Sequence, residues 1–256
     1  MDFIIAADTD IGNVRKTNQD SVAVLVADTG TGPVVFGIIC DGMGGLAKGE
    51  LASATIINVM VTWFKNTLPE LLSTGIDDSV IRNQWTEIIR VYNEKIMNYG
   101  AERGLNLGTT IAALLITQQR YYIVNVGDSR VYEISSSAVK QLTEDQTVVA
   151  RELKYGRITQ EQAKTDPRKS VLLQCVGASQ TVNPEFYFGT PLQNSVYMIC
   201  SDGFRHEISN DEIYRYFHAE NNNSAEMMSS NIRQLIEINK QRMEKDNITA
   251  ALIRTF

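Results

Sequence analysis

Five aspartates stand where strand-like runs of apolar residues begin or end. Asp20 precedes one run (Asn18-Gln19-Asp20-Ser21-Val22), Asp41 follows one (Ile38-Ile39-Cys40-Asp41-Gly42), and Asp128 lies between two (Val126-Gly127-Asp128-Ser129-Arg130). Asp202 follows Ile199-Cys200-Ser201, and Asp246 precedes Asn247-Ile248-Thr249. In an antiparallel sheet the end of one strand lies beside the start of its neighbour, so such carboxylates can converge on one edge. Bringing them together unneutralised is costly, because like charges a few ångström apart repel strongly. Divalent cations remove that cost, and an all-oxygen set of carboxylates, backbone carbonyl and water favours Mg²⁺ or Mn²⁺ over zinc or copper. Any one of these aspartates also suits an ordinary turn. The repetition of the placement at five strand ends is what favours a metal site.

The elements that would position them can be read from periodicity. Strand patterns occupy Phe3 to Asp8, Ser21 to Ala27 and Val34 to Cys40. The period then becomes helical, from Ala52 through Ile56, Val59 and Trp63 to an end near Pro69, and again through Ile81, Trp85, Ile88, Ile89, Tyr92 and Ile96. Strands return at Thr110 to Thr117, Tyr121 to Val126, Arg130 to Ile134 and Ala138 to Gln141, in the manner of an antiparallel meander. A polar, weakly helical stretch from Glu144 to Ser170 reads as an insertion lying over the fold. Strands near Asn183 to Phe188 and Ser195 to Cys200 precede helical patterns at Asp211 to Phe217 and Ala225 to Met243, and Ile248 to Ile253 forms the last strand. Runs of strands interrupted by pairs of helices predict an α+β fold, an antiparallel sandwich covered by helices.

Composition narrows the function classes. With 43% hydrophobic and 21% charged residues over 256 positions, the chain can bury a sizeable core. Its formal charge of −6 argues against nucleic acid or an anionic membrane as the main partner. No apolar run approaches the length of a membrane span, and Met1-Asp2-Phe3-Ile4 lacks the features of a signal peptide, so a cytoplasmic protein is expected. Cys40, Cys175 and Cys200 are too few and too scattered for a disulfide framework or a cysteine-built zinc site, and read as small, half-buried thiols.

The local frames around the aspartates resemble the motifs of the PPM family, the type-2C metal-dependent protein phosphatases, especially its compact bacterial members. The resemblance runs in order along the chain. It begins with Asp10-Ile11-Gly12-Asn13-Val14-Arg15-Lys16-Thr17-Asn18-Gln19-Asp20 and continues through Asp41-Gly42-Met43-Gly44-Gly45 and Gly49-Glu50-Leu51-Ala52-Ser53. Gly108-Thr109-Thr110, Val126-Gly127-Asp128-Ser129-Arg130, Ser201-Asp202-Gly203 and Asp246-Asn247 complete the set. It implies a single catalytic domain over residues 1–256, a central sandwich of two antiparallel sheets between pairs of helices (α-β-β-α layers), and a flap at about 144–170. It implies a protein serine/threonine phosphatase that hydrolyses phosphoserine and phosphothreonine by attack of a metal-bridging hydroxide, using two to three Mn²⁺ or Mg²⁺ ions. Asp41 would bridge two metals, with the Gly42 carbonyl completing one shell. Asp202 and Asp246 would bind the second metal, Asp20 would bind directly or through water, and Asp128 with Asp202 would form a third site. Arg15 would clamp the substrate phosphate, for which its planar fork of donors is suited. Glycines 42, 44 and 45 would let the backbone pass close to the metals. The implied partners are phosphorylated proteins, targets of a Ser/Thr kinase, met by a monomer.

Two positions depart from the family pattern. Met43 stands where many relatives carry a histidine proposed to protonate the leaving group, which leaves a metal-bound water as the expected proton source. Gln19 stands where many carry glutamate. His206, in Phe204-Arg205-His206, is expected to play an ordinary surface or turn role.

Other readings are weaker. Gly42-Met43-Gly44-Gly45-Leu46-Ala47 fits a dinucleotide fingerprint, but Asp41 would face the pyrophosphate and no acidic strand end follows at the needed distance. Cys200 and Arg205 are too close for a cysteine-nucleophile phosphate loop, and Asp202 would sit inside it. The remaining rival is a catalytically silent phosphoprotein-binding module of the same fold, against which the retention of Asp41, Asp202 and Asp246 counts. The arginine-bearing stretch from Glu144 to Ser170 could bias substrate choice as a lid, or be a solvated excursion.

Overall fold

A computed structural model of the protein describes residues 1–44 and 48–256. The strands among them are β1 (Phe3–Asp10), β2 (Asp20–Ala27), β3 (Val34–Gly44), β4 (Leu107–Thr109), β5 (Ile111–Ile116), β6 (Tyr121–Val126), β7 (Arg130–Ile134), β8 (Val139–Gln141), β9 (Glu185–Gly189), β10 (Val196–Cys200) and β11 (Ile248–Thr255). The helices are α1 (Gly49–Asn66), α2 (Leu68–Thr74), α3 (Asp78–Arg103), α4 (Val148–Lys154), α5 (Gln160–Thr165), α6 (Asp202–Arg205), α7 (Asn210–Phe217) and α8 (Ala225–Gln241). No described helix is long and apolar enough to cross a membrane.

One sheet runs β1-β11-β10-β7-β8 and the other β2-β3-β5-β6-β9, with β4 paired to β3. The pairings are antiparallel. The alternation within β3 explains the layering. Val34, Phe36, Ile38 and Cys40 join a core built with Ile56, Trp63 and Trp85 of α1 and α3. Val35 and Ile39 point the other way, into the core between the sheets with Leu114, Ile123, Tyr197, Ile199 and Ile253. A strand buried on both faces needs an unbroken apolar run, which is what its sequence supplies. A third core packs α7 and α8 on the outer face of the first sheet through Ile213, Phe217, Ile232, Leu235 and Leu252. The layers are therefore helix, sheet, sheet, helix, as the resemblance implied.

Two details differ from the sequence reading. Strands β5 to β8 do not form one meander: β5 and β6 belong to one sheet and β7 and β8 to the other. The chain crosses between sheets at Gly127, whose φ of +98° is a conformation that favours glycine, and Asp128 sits in that crossing. The first helical stretch does not end at Pro69. It ends at Asn66, and Pro69 lies in the first turn of α2, where a missing N–H costs nothing. The stretch after Glu144 contains two helices, α4 and α5, each with a threonine N-cap.

Trp85 anchors the α3 layer, fully buried and edge-on to Trp63 with ring centroids 5.3 Å apart. Truncation of a large buried aromatic removes its transfer free energy and leaves a cavity. Trp85→Ala is expected to lower unfolding stability by about 3–5 kcal/mol in urea titration, and a loss below about 1 kcal/mol would contradict this packing.

Candidate metal centre

Strand register carries the aspartates to one end of the sandwich. Asp20, the first residue of β2, pairs with Asp41 of β3. Cys200 of β10 pairs with Ala250 of β11, so Asp202, just past one strand, comes beside Asp246, just before the other. Close backbone approach tightens that second pair. A Cβ on Gly203 would collide with the Asn247 carbonyl and lie 3.1 Å from the Asp246 Cβ. Gly42 is needed for a related reason, though not the one expected. A side chain there would strike the Gly49 carbonyl and fall 2.5 Å from that of Gln19, so packing against the start of α1 demands the glycine. Gly45, and with it the fingerprint's last residues Leu46 and Ala47, lies outside the described residues.

Backbone and hydroxyl contacts hold these segments in place. The Thr110 N–H and the Thr109 hydroxyl both donate to the Asp41 carbonyl at 2.9 Å, and the Asp41 N–H donates to Thr110 Oγ1 at 2.9 Å. Thr110 Oγ1 lies 2.7 Å from Ser129 Oγ, linking β3 to the Asp128 crossing. Asn247 ties the Arg15 loop down: its Nδ2 donates to the carbonyls of Ile11 and Thr17, and its Oδ1 accepts from the Gln19 N–H.

The result is a cleft of about 660 Å³ whose walls include Arg15, Asp41, Gly42, Asp128, Asp202 and Asp246. Asp20 lies beneath it, buried, with Oδ2 accepting from the Thr249 hydroxyl at 2.6 Å. A groove of about 470 Å³ along α8 carries Glu226, Glu237 and Arg233 but no such gathering of aspartates. The exposed Arg15 donates from Nη2 to Asp246 Oδ2 at 2.6 Å, so the expected phosphate clamp reaches into the carboxylate cluster.

These carboxylates are electrostatically crowded. Burial, then the charges of Asp20, Asp202, Asp246 and Asp128, push the Asp41 pKa well above the carboxylate range. Burial also lifts Asp20 to about 7, against the hydrogen bonds from Thr249 and Ser201. Asp128 rises to about 7, by burial and then by Asp202, with Arg205 opposing. Asp202 Oδ1 is buried with no hydrogen-bond partner among the described residues. Buried oxygens crowded this way and left unpartnered fit hard divalent cations. No three His, Cys, Asp or Glu side chains among the described residues already close around one point. The carboxylates line the cleft walls instead, as mutual repulsion requires until a cation draws them together.

Several neighbours were not picked out from sequence. His206, expected in a surface or turn role, closes the turn of α6 and is only partly exposed. Its Nε2 lies 3.5 Å from Asp202 Oδ2 and its Nδ1 3.3 Å from Glu244 Oε2. Burial pushes its pKa down, but the Glu244 hydrogen bond and the charge of Asp202 outweigh that and raise it. The i, i+4 spacing from Asp202 was the available signal, weak while the one-turn α6 was unrecognised. Arg205, on the same turn, donates to the Asp128 carbonyl at 3.1 Å. The wall of the cleft extends past the expected flap boundary, through Ser170 and Leu172 to Cys175 and Ala178. Backbone bonds pin it, from Val148 to Val171, from Leu173 to Gln146, and both ways between Thr109 and Val176.

The alternatives lose ground on geometry. β3 is antiparallel to β2, β4 and β5, which is not the parallel setting of a dinucleotide fingerprint. Cys200 is fully buried and its thiol is pushed up to about 12, chiefly by burial, so it is no nucleophile.

Comparison with known proteins points the same way. The protein phosphatase 2C family model matches residues 13–238. A protein phosphatase 2C-type protein of Streptococcus pyogenes serotype M6 is 30% identical over 251 residues, covering 97% of this chain and 96% of the relative. The serine/threonine phosphatase stp of Listeria monocytogenes serotype 4b is 34% identical over 209 residues, 80% of this chain and 79% of its own. Among solved structures, the S. agalactiae serine/threonine phosphatase superposes with a TM-score of 0.85 at 28% identity, over 99% of this chain and 100% of that one. The catalytic domain of the serine threonine protein phosphatase PstP, in complex with two manganese ions, superposes with a TM-score of 0.78 at 27% identity, over 98% and 97%.

The raised carboxyl pKa values have a consequence for stability. A carboxyl whose folded pKa exceeds its ordinary value favours folding while protonated, and that contribution is lost as pH rises through the folded pKa. For Asp20 and Asp128 the window runs from 3.8 to about 7. Metal-stripped protein should therefore lose this contribution as pH rises towards 7, and Mn²⁺ should raise Tm more at pH 8 than at pH 6. Thermal scans in EDTA and in Mn²⁺ at both pH values check this, and equal Mn²⁺ shifts would refute it.

Proposed function

This chain belongs to the protein phosphatase 2C family, and we propose that its aspartate cleft hydrolyses phosphoserine and phosphothreonine on other proteins with Mn²⁺ or Mg²⁺ bound. The observation that carries this reading is the convergence of Asp41, Asp128, Asp202 and Asp246 with Arg15 on one cleft, above the buried Asp20. Divalent cations bound there lower the pKa of water so that hydroxide is available near neutral pH, and they offset charge on the transferring phosphoryl group.

The chain's own residues have distinct tasks. Asp41, with the Gly42 carbonyl beside it, would be shared by two such cations. Asp202 and Asp246 would hold the second cation, and Asp20 would act from beneath, directly or through water. Arg15 grips two phosphate oxygens and fixes the phosphorus for in-line attack. To do so it must exchange its bond to Asp246 for the incoming dianion, which its exposed position permits. Met43 lines the cleft and has no proton to give, and no histidine is among the lining residues. The proton for the departing serine or threonine oxygen therefore comes from water in the cleft. Hydrolysis adds one water and returns inorganic phosphate and the free hydroxyl.

The chain works as a single catalytic domain, with the region from about 144 to 170 and its continuation to Ala178 as a flap bordering the cleft. It acts as a cytoplasmic monomer on targets of a Ser/Thr kinase. A silent phosphoprotein-binding module would have no use for this full set of acidic groups.

Turnover of p-nitrophenyl phosphate and of a phosphothreonine peptide tests the reading. Activity should require Mn²⁺, vanish in EDTA, and fall by more than about 100-fold in Asp41→Ala, beyond the usual cost of an outer-shell change at a metal site. Arg15→Ala should lower kcat/KM about 10- to 100-fold, the worth of a charge-assisted hydrogen bond, with partial recovery in Arg15→Lys. Folded protein that turns over neither substrate with any metal would sink the enzyme reading.

A further inference from the structure

Arg205 has no role in the chemistry above, yet it is buried against Asp128, a residue of the cleft wall. Only 11% of its side chain is exposed, beside Asp128 at 7% and Asp145 at 14%. Its Nη2 donates to the Asp128 carbonyl at 3.1 Å and lies 3.5 Å from both Asp128 Oδ2 and Asp145 Oδ2. Asp145 is also gripped by Arg130, through Nε at 2.7 Å and Nη2 at 2.6 Å. Resting on the phosphatase reading, we infer that Arg205 takes the place of a third divalent cation at Asp128, so that this cleft holds two cations and not three.

Charge balance supports the substitution. With both carboxyls ionised, Asp128 and Asp145 carry two negative charges, and Arg130 and Arg205 supply two positive ones within the same buried group. That leaves Asp20, Asp41, Asp202 and Asp246, four carboxylates that two divalent cations neutralise. Arg15 stays available for the phosphate dianion. A third cation between Asp128 and Asp202 would stand beside a buried guanidinium, with no unpaired carboxylate left to offset it. Guanidinium does not deprotonate in proteins, so no working pH relieves that repulsion.

The position of Arg205 follows from its place on α6. That single turn begins at Asp202, so the residue three positions later projects from the same turn as a ligand of the main centre. The i, i+3 relation lets one short element carry a metal ligand and the fixed cation that closes the neighbouring position.

Mn²⁺ stoichiometry tests the inference without recourse to activity. Full-length, metal-stripped protein is titrated calorimetrically with Mn²⁺, and bound metal is counted after equilibrium dialysis. Wild type should take two Mn²⁺ per chain, and Arg205→Lys should keep two. Arg205→Met should take a third, lost again when Asp128→Asn is added. Should Arg205→Met not fold, Asp128→Asn alone decides: it keeps two Mn²⁺ if Arg205 holds that position. Three Mn²⁺ in wild type, two in folded Arg205→Met, or loss of one in Asp128→Asn overturns the inference and leaves the phosphatase reading standing. Absence of both Mn²⁺ binding and turnover overturns both.

Discussion

Carboxylates gathered at one end of an apolar sandwich repel one another, and much of this molecule is arranged around that repulsion. Two unit charges 4 Å apart cost about 4 kcal/mol at the effective dielectric of a protein surface, a large share of the few kcal/mol by which a domain is stable. Burial makes it worse, which is why the pKa values of Asp20, Asp41 and Asp128 all move up. Such a cluster persists in a folded chain only where the scaffold is secured by other means and cations can be taken up.

The scaffold is secured away from the charges. Three separate apolar cores, one between the sheets and one under each helical layer, lock β3, β10 and β11 on both faces. Asp41, Asp202 and Asp246 lie in or just beyond these strands and Asp20 opens β2, so sheet register sets their backbone positions, while Asp128 sits in the short β6–β7 crossing. Uncharged hydrogen bonds finish the arrangement, with Thr109, Thr110, Ser129, Thr249 and Asn247 joining segments distant in sequence. A centre held this way can tolerate electrostatic strain that a loop-built site would relax by moving.

The chain also carries cations of its own at the margins of the cluster. Arg15, Arg205 and His206 approach Asp246, Asp128 and Asp202 respectively. They differ in what they can do. Arg15 is exposed and can exchange partners, which suits a phosphate clamp. Arg205 is enclosed and permanently charged, which suits a fixed counter-ion. His206 lies between two carboxylates, Asp202 and Glu244.

Much of this was legible in the sequence because it rests on local rules. The unbroken apolar run of Val34 to Cys40, the helical face of Ile81 to Ile96 and the placement of aspartates beside apolar runs need only neighbours along the chain. These determined the α+β class, most of the strands and the place of the longer helices, and the identity of the acidic residues that could bind metal. Pairing across space was not legible. That β6 and β7 belong to different sheets depends on one positive φ at Gly127. The partners of Arg205 and His206 depend on the fold of the single turn at Asp202, too short to leave a periodic signal. The sequence by itself determined which side chains could do chemistry. Only the tertiary structure decided which of them share a charge, because electrostatic coupling falls with distance in space and takes no account of separation along the chain.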